Sequence, residues 1–322
     1  MAEPLFLKPV FHEKIWGGRK LSESFGYDLP DGDIGECWAI SGHKNGTSIV
    51  ENGTFSGQKL DQLWTNHPEL FGNPKGSVFP LLTKILDAED SLSVQVHPDN
   101  DYAMKHEGEL GKTECWYVID AEPDSYLIYG HNAKTKEELD QMIDSGDWDH
   151  LLTKVPVKSG DFFYVPSGTV HALNKGILVL ETQQSSDTTY RLYDYDRVDK
   201  TTGKMRELHL EQSKDTITVP YKRPQLNIET VEKNGNKYTT FVQPPLSPYF
   251  AVYKWEINNS DDFKHEVGSY TLISVLSGEG QITIDNKDYS LSKGQHLIVP
   301  ATVNSWKLSG NLNIIASESG EK

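Results

Sequence analysis

Cysteine is scarce in this 322-residue chain, with two residues only, Cys37 and Cys115. Two cysteines without a CxxC pair give no disulfide framework, so a reducing compartment, the cytoplasm, is the expected location. Long apolar runs are missing as well. No stretch approaches the ~20 residues of a membrane-spanning helix. The start, Met1-Ala2-Glu3-Pro4-Leu5-Phe6, is acidic and lacks the basic region and apolar core of a secretion signal. Positive charge is also short: 31 Lys and Arg face 47 Asp and Glu, a net charge of -16. That excludes nonspecific nucleic-acid binding, which needs basic patches. An anionic small molecule would have to be met by a local cluster of cations. No oligomer is predicted.

What the chain has is turns and short strand patterns, with 26 Gly and 16 Pro. In Ser91-Leu92-Ser93-Val94-Gln95-Val96-His97-Pro98, apolar Leu92, Val94 and Val96 alternate with Ser91, Ser93, Gln95 and His97. A period of two predicts a strand with one oily and one wet face. Pro98 cannot donate to a ladder and ends it. In a β barrel the wet face can be the lumen, where side chains converge. Lys112 and Glu114 share a face of a second strand, Lys112 to Ile119, with Cys115 on the opposite face as a core residue. Gly160 to Ala172 reads as strand, Pro/Gly turn and new strand starting near His171. Gln95, His97, Glu114 and His171 are therefore candidate ligands: two imidazoles, a carboxylate and an amide oxygen, a set compatible with zinc.

Each feature has a plainer reading. A lone strand histidine is usually structural, and His43, His67, His106, His131, His150, His209, His265 and His296 are read as loop or surface residues. Lys84, in the apolar strand from Phe79 to Ala88, could snorkel from a strand end. Lys112 could simply pair with Glu114, and Asp187 and Arg191 could form a surface pair.

A helix is expected from Leu60 to Phe71, and a short one after an Asp99 or Asn100 cap. Another follows Thr135-Lys136-Glu137-Glu138, a capping-box pattern, and forms a small helical insertion near residues 133–152. Loop signals from Val219-Pro220 to Pro244-Pro245 suggest two domains, 1–235 and 236–322. An internal echo supports a second barrel: Gly160 to Val165-Pro166 recurs as Gly294 to Val299-Pro300. There Asn304 and Ser305 stand where His171 lies in the first copy, so the second copy has no metal set. Leu276 to Ile284 reads as strand, turn, strand. The fold class expected is mainly β, with two cupin-like jelly-roll barrels.

The ordered motifs Gln95-Val96-His97-Pro98-Asp99, Lys112-Thr113-Glu114-Cys115-Trp116, Pro166-Ser167-Gly168-Thr169-Val170-His171-Ala172 and Ser185-Ser186-Asp187 with Arg191 resemble those of the type I mannose-6-phosphate isomerase family, in its short bacterial form. Ile15-Trp16-Gly17-Gly18 and Gly35-Glu36-Cys37-Trp38 add to the resemblance. It implies a cupin fold, one zinc ion held by Gln95, His97, Glu114 and His171, and a phosphorylated hexose as substrate. It also implies active-site roles for Lys84, Lys112, Asp187 and Arg191. The reaction implied is exchange of mannose 6-phosphate and fructose 6-phosphate through an enediol or enediolate. The chain departs from longer family members in its brief helical insertion and in Leu192 to Arg197. Two other functions compete: a non-catalytic sugar-binding cupin, and an oxygenase, which Gln95 fits less well.

Overall fold

The computed structural model of the chain describes residues 2–199, 202–266 and 268–320. Its strands lie in three sheets among the described residues, and side-chain alternation decides what each sheet faces. A six-stranded sheet runs in the order Phe162–Val165, Glu114–Ala121, Ile177–Gln184, Leu81–Ala88, Ile34–Ser41, Val10–Gly18. A five-stranded sheet runs Tyr190–Tyr193, Val94–Val96, His171–Leu173, Tyr126–His131, Leu152–Pro156. Trp116, Val118, Leu86 and Val179 of the first meet Leu127, Tyr129 and Leu173 of the second in one buried core. The two sheets thus enclose a jelly-roll interior.

The outer faces are covered in turn. Cys115, Tyr117, Leu178 and Leu180 turn the other way and pack with Leu272, Ile298, Ile315 and Phe250 of the C-terminal sheet. Behind the five-stranded sheet, Val94, Val96, Ile128 and Ala172 pack with Leu139, Ile143 and Leu151. Those last three belong to the helical insertion, Lys136–Ser145 and Trp148–Leu151. Thr135 caps the longer helix by accepting from the Glu138 amide. Glu138 Oε2 reaches back to the Lys134 amide, one residue before the cap.

The third sheet, ten strands among the described residues, folds on itself around Trp255, Ile273, Val275, Trp306 and Ile314. Leu5–Lys8 pairs with His296–Val299 inside it. Glu229–Lys233 pairs with Asn236–Val242, so the boundary expected after residue 235 falls at the turn of that hairpin. The expected turn inside Leu276 to Ile284 is absent. Thr271–Ile284 is one strand, with Gly278 at φ 89° just after a register shift between Val275 and Ser277.

The internal echo is structural. Gly160 and Gly294 have φ of 90° and 86°, a left-handed conformation that glycine adopts without strain. Gly160 donates to Val118 and Gly294 to Val275, each at 2.9 Å. Val165 pairs with Glu114 as Val299 pairs with Thr271.

Candidate active site

Three short strands deliver the polar side chains to one end of the jelly-roll interior. The expected strand from Ser91 to His97 is shorter, Val94–Val96, and Leu92 joins the interior core instead of the face of Val94 and Val96. Within it Val94 and Val96 point out, so Gln95 points in, and it lies on the rim of the cavity. Gln95 pairs in register with His171 on one side and Arg191 on the other, which puts all three side chains on one face. Glu114 and Trp116 enter from the opposite sheet, with Cys115 turned away and buried as a free thiol.

The meeting point is tight. His171 Nε2 lies 3.2 Å from His97 Nε2 and 3.2 Å from Glu114 Oε1, while His97 Nε2 lies 3.4 Å from Glu114 Oε2. All three residues are buried. His171 Nδ1 donates to the Thr169 carbonyl at 2.8 Å, so Nε2 presents a lone pair. Burial, then the charge of Lys112, pushes His97 down to about 3, which keeps it neutral. Glu114 Oε2 accepts no well-directed hydrogen bond despite its burial. Two imidazole nitrogens and a carboxylate therefore crowd one point, with Lys112 as the neighbouring cation. Ligands about 2.0–2.1 Å from a tetrahedral ion would stand about 3.3 Å apart. The three side chains fit a divalent cation held at their centre, and Gln95 lies on the same wall.

Beside them opens a cavity of about 290 Å³. Five cations line it, Lys14, Lys84, Lys112, Arg191 and Arg206, against Glu36, Glu181 and Asp187. The local positive cluster required by a chain of net charge -16 is present. Lys112 lies 3.2 Å from Glu114 Oε2. Burial alone would lower it, yet Glu114, then Glu181, Asp187 and Glu36, hold it above the ordinary lysine range as a cation.

Lys84 is not at a strand end. It is buried in mid-strand, 4.7 Å over the Trp38 ring and 3.7 and 3.9 Å from Glu36 and Glu181. Trp38 Nε1 donates to Glu36 at 2.6 Å and Trp116 Nε1 to Glu181 at 2.9 Å, so each carboxylate is aimed by an indole. Glu36 is held far below the carboxylate range: burial opposes this, but Lys84 and Lys14 win. Glu181 is pushed up, first by burial and then by the charge of Glu114. Asp187 accepts from Asn45 at 2.9 Å. Arg191 donates to the Glu207 carbonyl at 2.7 Å and leaves a buried Nε without a hydrogen bond.

Sequence patterns passed over Glu36, Glu181, Lys14 and Arg206 as site residues. Glu36 and Glu181 sit in strands that read as apolar, where a single carboxylate on an inward face is the only signal. Three histidines read as loop or surface residues, His43, His131 and His296, are buried.

Residues 5–133 match the family model for phosphomannose isomerase type I, catalytic domain, and residues 237–319 match that for mannose-6-phosphate isomerase, cupin domain. A mannose-6-phosphate isomerase of Streptococcus mutans is 59% identical over 100% of both chains. The crystal structure of mannose 6-phosphate isomerase from Bacillus subtilis superposes with a TM-score of 0.93 at 48% identity, covering 98% of this chain and 99% of that one. A point mutant of phosphomannose isomerase from Salmonella typhimurium, at 16% identity, shares the fold with a TM-score of 0.81 over 99% of this chain and 100% of that one. These matches span the whole length, and the chain belongs to the type I phosphomannose isomerase family.

Proposed function

We propose that this chain interconverts mannose 6-phosphate and fructose 6-phosphate through an enediol or enediolate, with one zinc ion held by Gln95, His97, Glu114 and His171. Its membership of the family supports the isomerase activity. The observation that carries the rest is the convergence of His97, Glu114 and His171 at 3.2–3.4 Å beside a cation-lined cavity. Zinc in that place would polarise the sugar oxygens and offset the negative charge that develops on them.

The chain's own residues supply the rest. In the forward direction a proton leaves C2 and one is returned to C1, while the hydroxyl proton moves from O2 to O1. Glu181, a buried carboxyl with a raised pKa on the cavity wall, is suited to carry the carbon-bound proton. Lys112, 3.2 Å from Glu114 Oε2, is placed to stabilise the oxyanion or to transfer a proton. Lys84 is the second cation beside Glu181. Arg191 grips the phosphate, and Asp187 orients the sugar at the rim or assists ring opening. The division we propose keeps the catalytic unit within residues 1–235, the C-terminal sheet borrowing Leu5–Lys8, Ile49–Val50 and Glu229–Lys233 from it. The cytoplasm fits two free, buried cysteines.

Metal content and turnover of mannose 6-phosphate, measured together on native, chelator-treated and Glu181→Gln protein, test this reading. Chelation should abolish turnover and added zinc restore it. Glu181→Gln should keep its metal and lose about 10²–10⁴-fold in kcat. Full turnover in metal-free protein would sink the zinc assignment, and native kcat in the variant would remove Glu181 from proton transfer.

A further inference from the structure

Arg206 is a cation that no sequence motif points to, and its surroundings are built. After Tyr193 the chain leaves the sheet, and an isolated bridge between Val198 and Met205 brings it back. The residues flanking that bridge, Arg197 and Arg206, stand opposite each other, where like charges repel. Both turn to one buried carboxylate. Asp194 accepts from Arg206 Nε at 2.9 Å and Nη2 at 2.6 Å, and from Arg197 Nη2 at 2.7 Å. The Asp194 side chain is 5% exposed. Asp90 reaches Arg197 at 3.5 Å from the solvent side.

The returning segment is then locked to the strand that carries Arg191. His209 donates its amide to the Arg191 carbonyl at 2.8 Å, and its Nδ1 accepts from the Arg191 amide at 3.0 Å. The Arg191 side chain donates to the carbonyl of Glu207, next to Arg206. Two guanidinium groups are thereby fixed on one cavity wall although their charges oppose each other, the proximity of Arg206 adding to burial in lowering Arg191. Asp194 occupies two of the five N–H donors of Arg206, so it anchors the fork without saturating it.

A wall with two such forks suits a tetrahedral dianion. A phosphate monoester carries about -1.5 to -2 at pH 7 and three acceptor oxygens. We propose that Arg206 grips the substrate's phosphate jointly with Arg191, and that Asp194 is the positioning residue that holds Arg206 in place. This rests on the isomerase reading and adds to it the second half of the phosphate site. A chain of net charge -16 repels a sugar phosphate at long range, which one exposed guanidinium would offset less well than two held together.

The test compares native protein with Arg206→Met and Arg206→Lys, using inorganic phosphate as the probe. Calorimetry gives its Kd without turnover; kinetics give KM and kcat for mannose 6-phosphate and the Ki of a neutral hexitol. Arg206→Met should raise both the phosphate Kd and the KM about 10–100-fold, as loss of charge-assisted bonds does. It should change kcat less than KM and move the hexitol Ki less than about threefold. Arg206→Lys keeps the Asp194 pair and should fall between. A native phosphate Kd in the Met variant, or in the Lys variant if Met does not fold, overturns the proposal. So does an equal loss toward the neutral hexitol, which marks a purely structural role. Absence of turnover in the native enzyme would instead strike the isomerase reading, while the phosphate Kd still reports on Arg206.

Discussion

Val165-Pro166 and Val299-Pro300 close corresponding strands, and the chain after each turn re-enters a β interior with different side chains. Five residues past Pro166 comes His171, buried; five past Pro300 comes Ser305, exposed, and the next residue, Trp306, fills the core. The partner of Val165 is Glu114, whereas the partner of Val299 is Thr271. Around Thr271 the polar groups satisfy one another: its hydroxyl lies 2.9 Å from His265 Nε2 and 3.0 Å from Glu318. Around Glu114 they do so only in part: His97, His171 and Glu114 converge within 3.2–3.4 Å, yet Glu114 Oε2 and His97 Nδ1 are buried without a hydrogen bond. Buried polar groups without partners cost about 1–3 kcal/mol each. The first interior carries that cost at His97 and Glu114, where a bound cation would offset it; the second holds no such cluster among the described residues and is a packed core. One backbone plan serves a site in one place and a support in the other because of a few inward-facing residues.

The largest expected effect breaks this contrast by transplanting a residue. Glu114→Thr puts the second interior's side chain into the first. It removes the carboxylate proposed to hold the metal and leaves Lys112 buried without its nearest carboxylate. A metal that contributes several kcal/mol to the barrier corresponds to about 10³-fold in rate. The variant should lose metal and at least that much kcat, while a folded spectrum persists. Turnover within tenfold of native would show that Glu114 does not hold the metal.

A smaller effect contrasts the buried histidines. His296 belongs to the second sheet and has no part in the metal group. Its Nδ1 lies 2.9 Å from Ser274 Oγ and its Nε2 2.8 Å from Tyr27 OH, which in turn donates to Gly294. Burial lowers its pKa from 6.5 to about 3. The unfolded chain takes up a proton there below pH 6.5 and the folded chain does not. Stability is therefore lost as pH falls from 6.5 toward 3. At pH 5 the loss is about 2 kcal/mol for this group. His296→Gln, measured by urea unfolding at pH 7.5 and pH 5, should narrow the gap between the two by about that amount. An unchanged gap would mean that His296 is not neutral in the fold.

Much of the site was legible because strand alternation is a local rule. Gln95 between Val94 and Val96, and Glu114 beside Cys115, each declare a face without knowledge of the partner strand. His171 was legible because a Pro/Gly turn marks where a strand must begin. What the sequence could not show is depth. Lys84 looks like a snorkelling lysine until Trp38, Glu36 and Glu181 enclose it from neighbouring strands. Arg206 depends on a loop that returns to Arg191 through the Glu207 carbonyl, 16 residues on, a contact that no periodicity encodes. The helix expected from Leu60 to Phe71 stops at Asn66 because Pro68 cannot continue it, and a separate turn, Pro68–Phe71, follows.

The smallest expected effect concerns the insertion that the first unit has and the second lacks. The helix Lys136–Ser145 packs Leu139 and Ile143 behind Ala172 and Val170, on the strand and turn that deliver His171. If the insertion is a brace and takes no part in chemistry, weakening it should lower stability and leave the site as it is. Thr135→Ala removes the side chain that accepts from the Glu138 amide, and loss of such a cap costs about 1 kcal/mol. The helix is held by its apolar face as well as by its cap, so it should stay docked. The expected result is a shift in the urea midpoint with metal content and KM unchanged. A fall in metal occupancy at native stability would mean that the insertion sets the position of His171 directly, and the helix would then belong to the site.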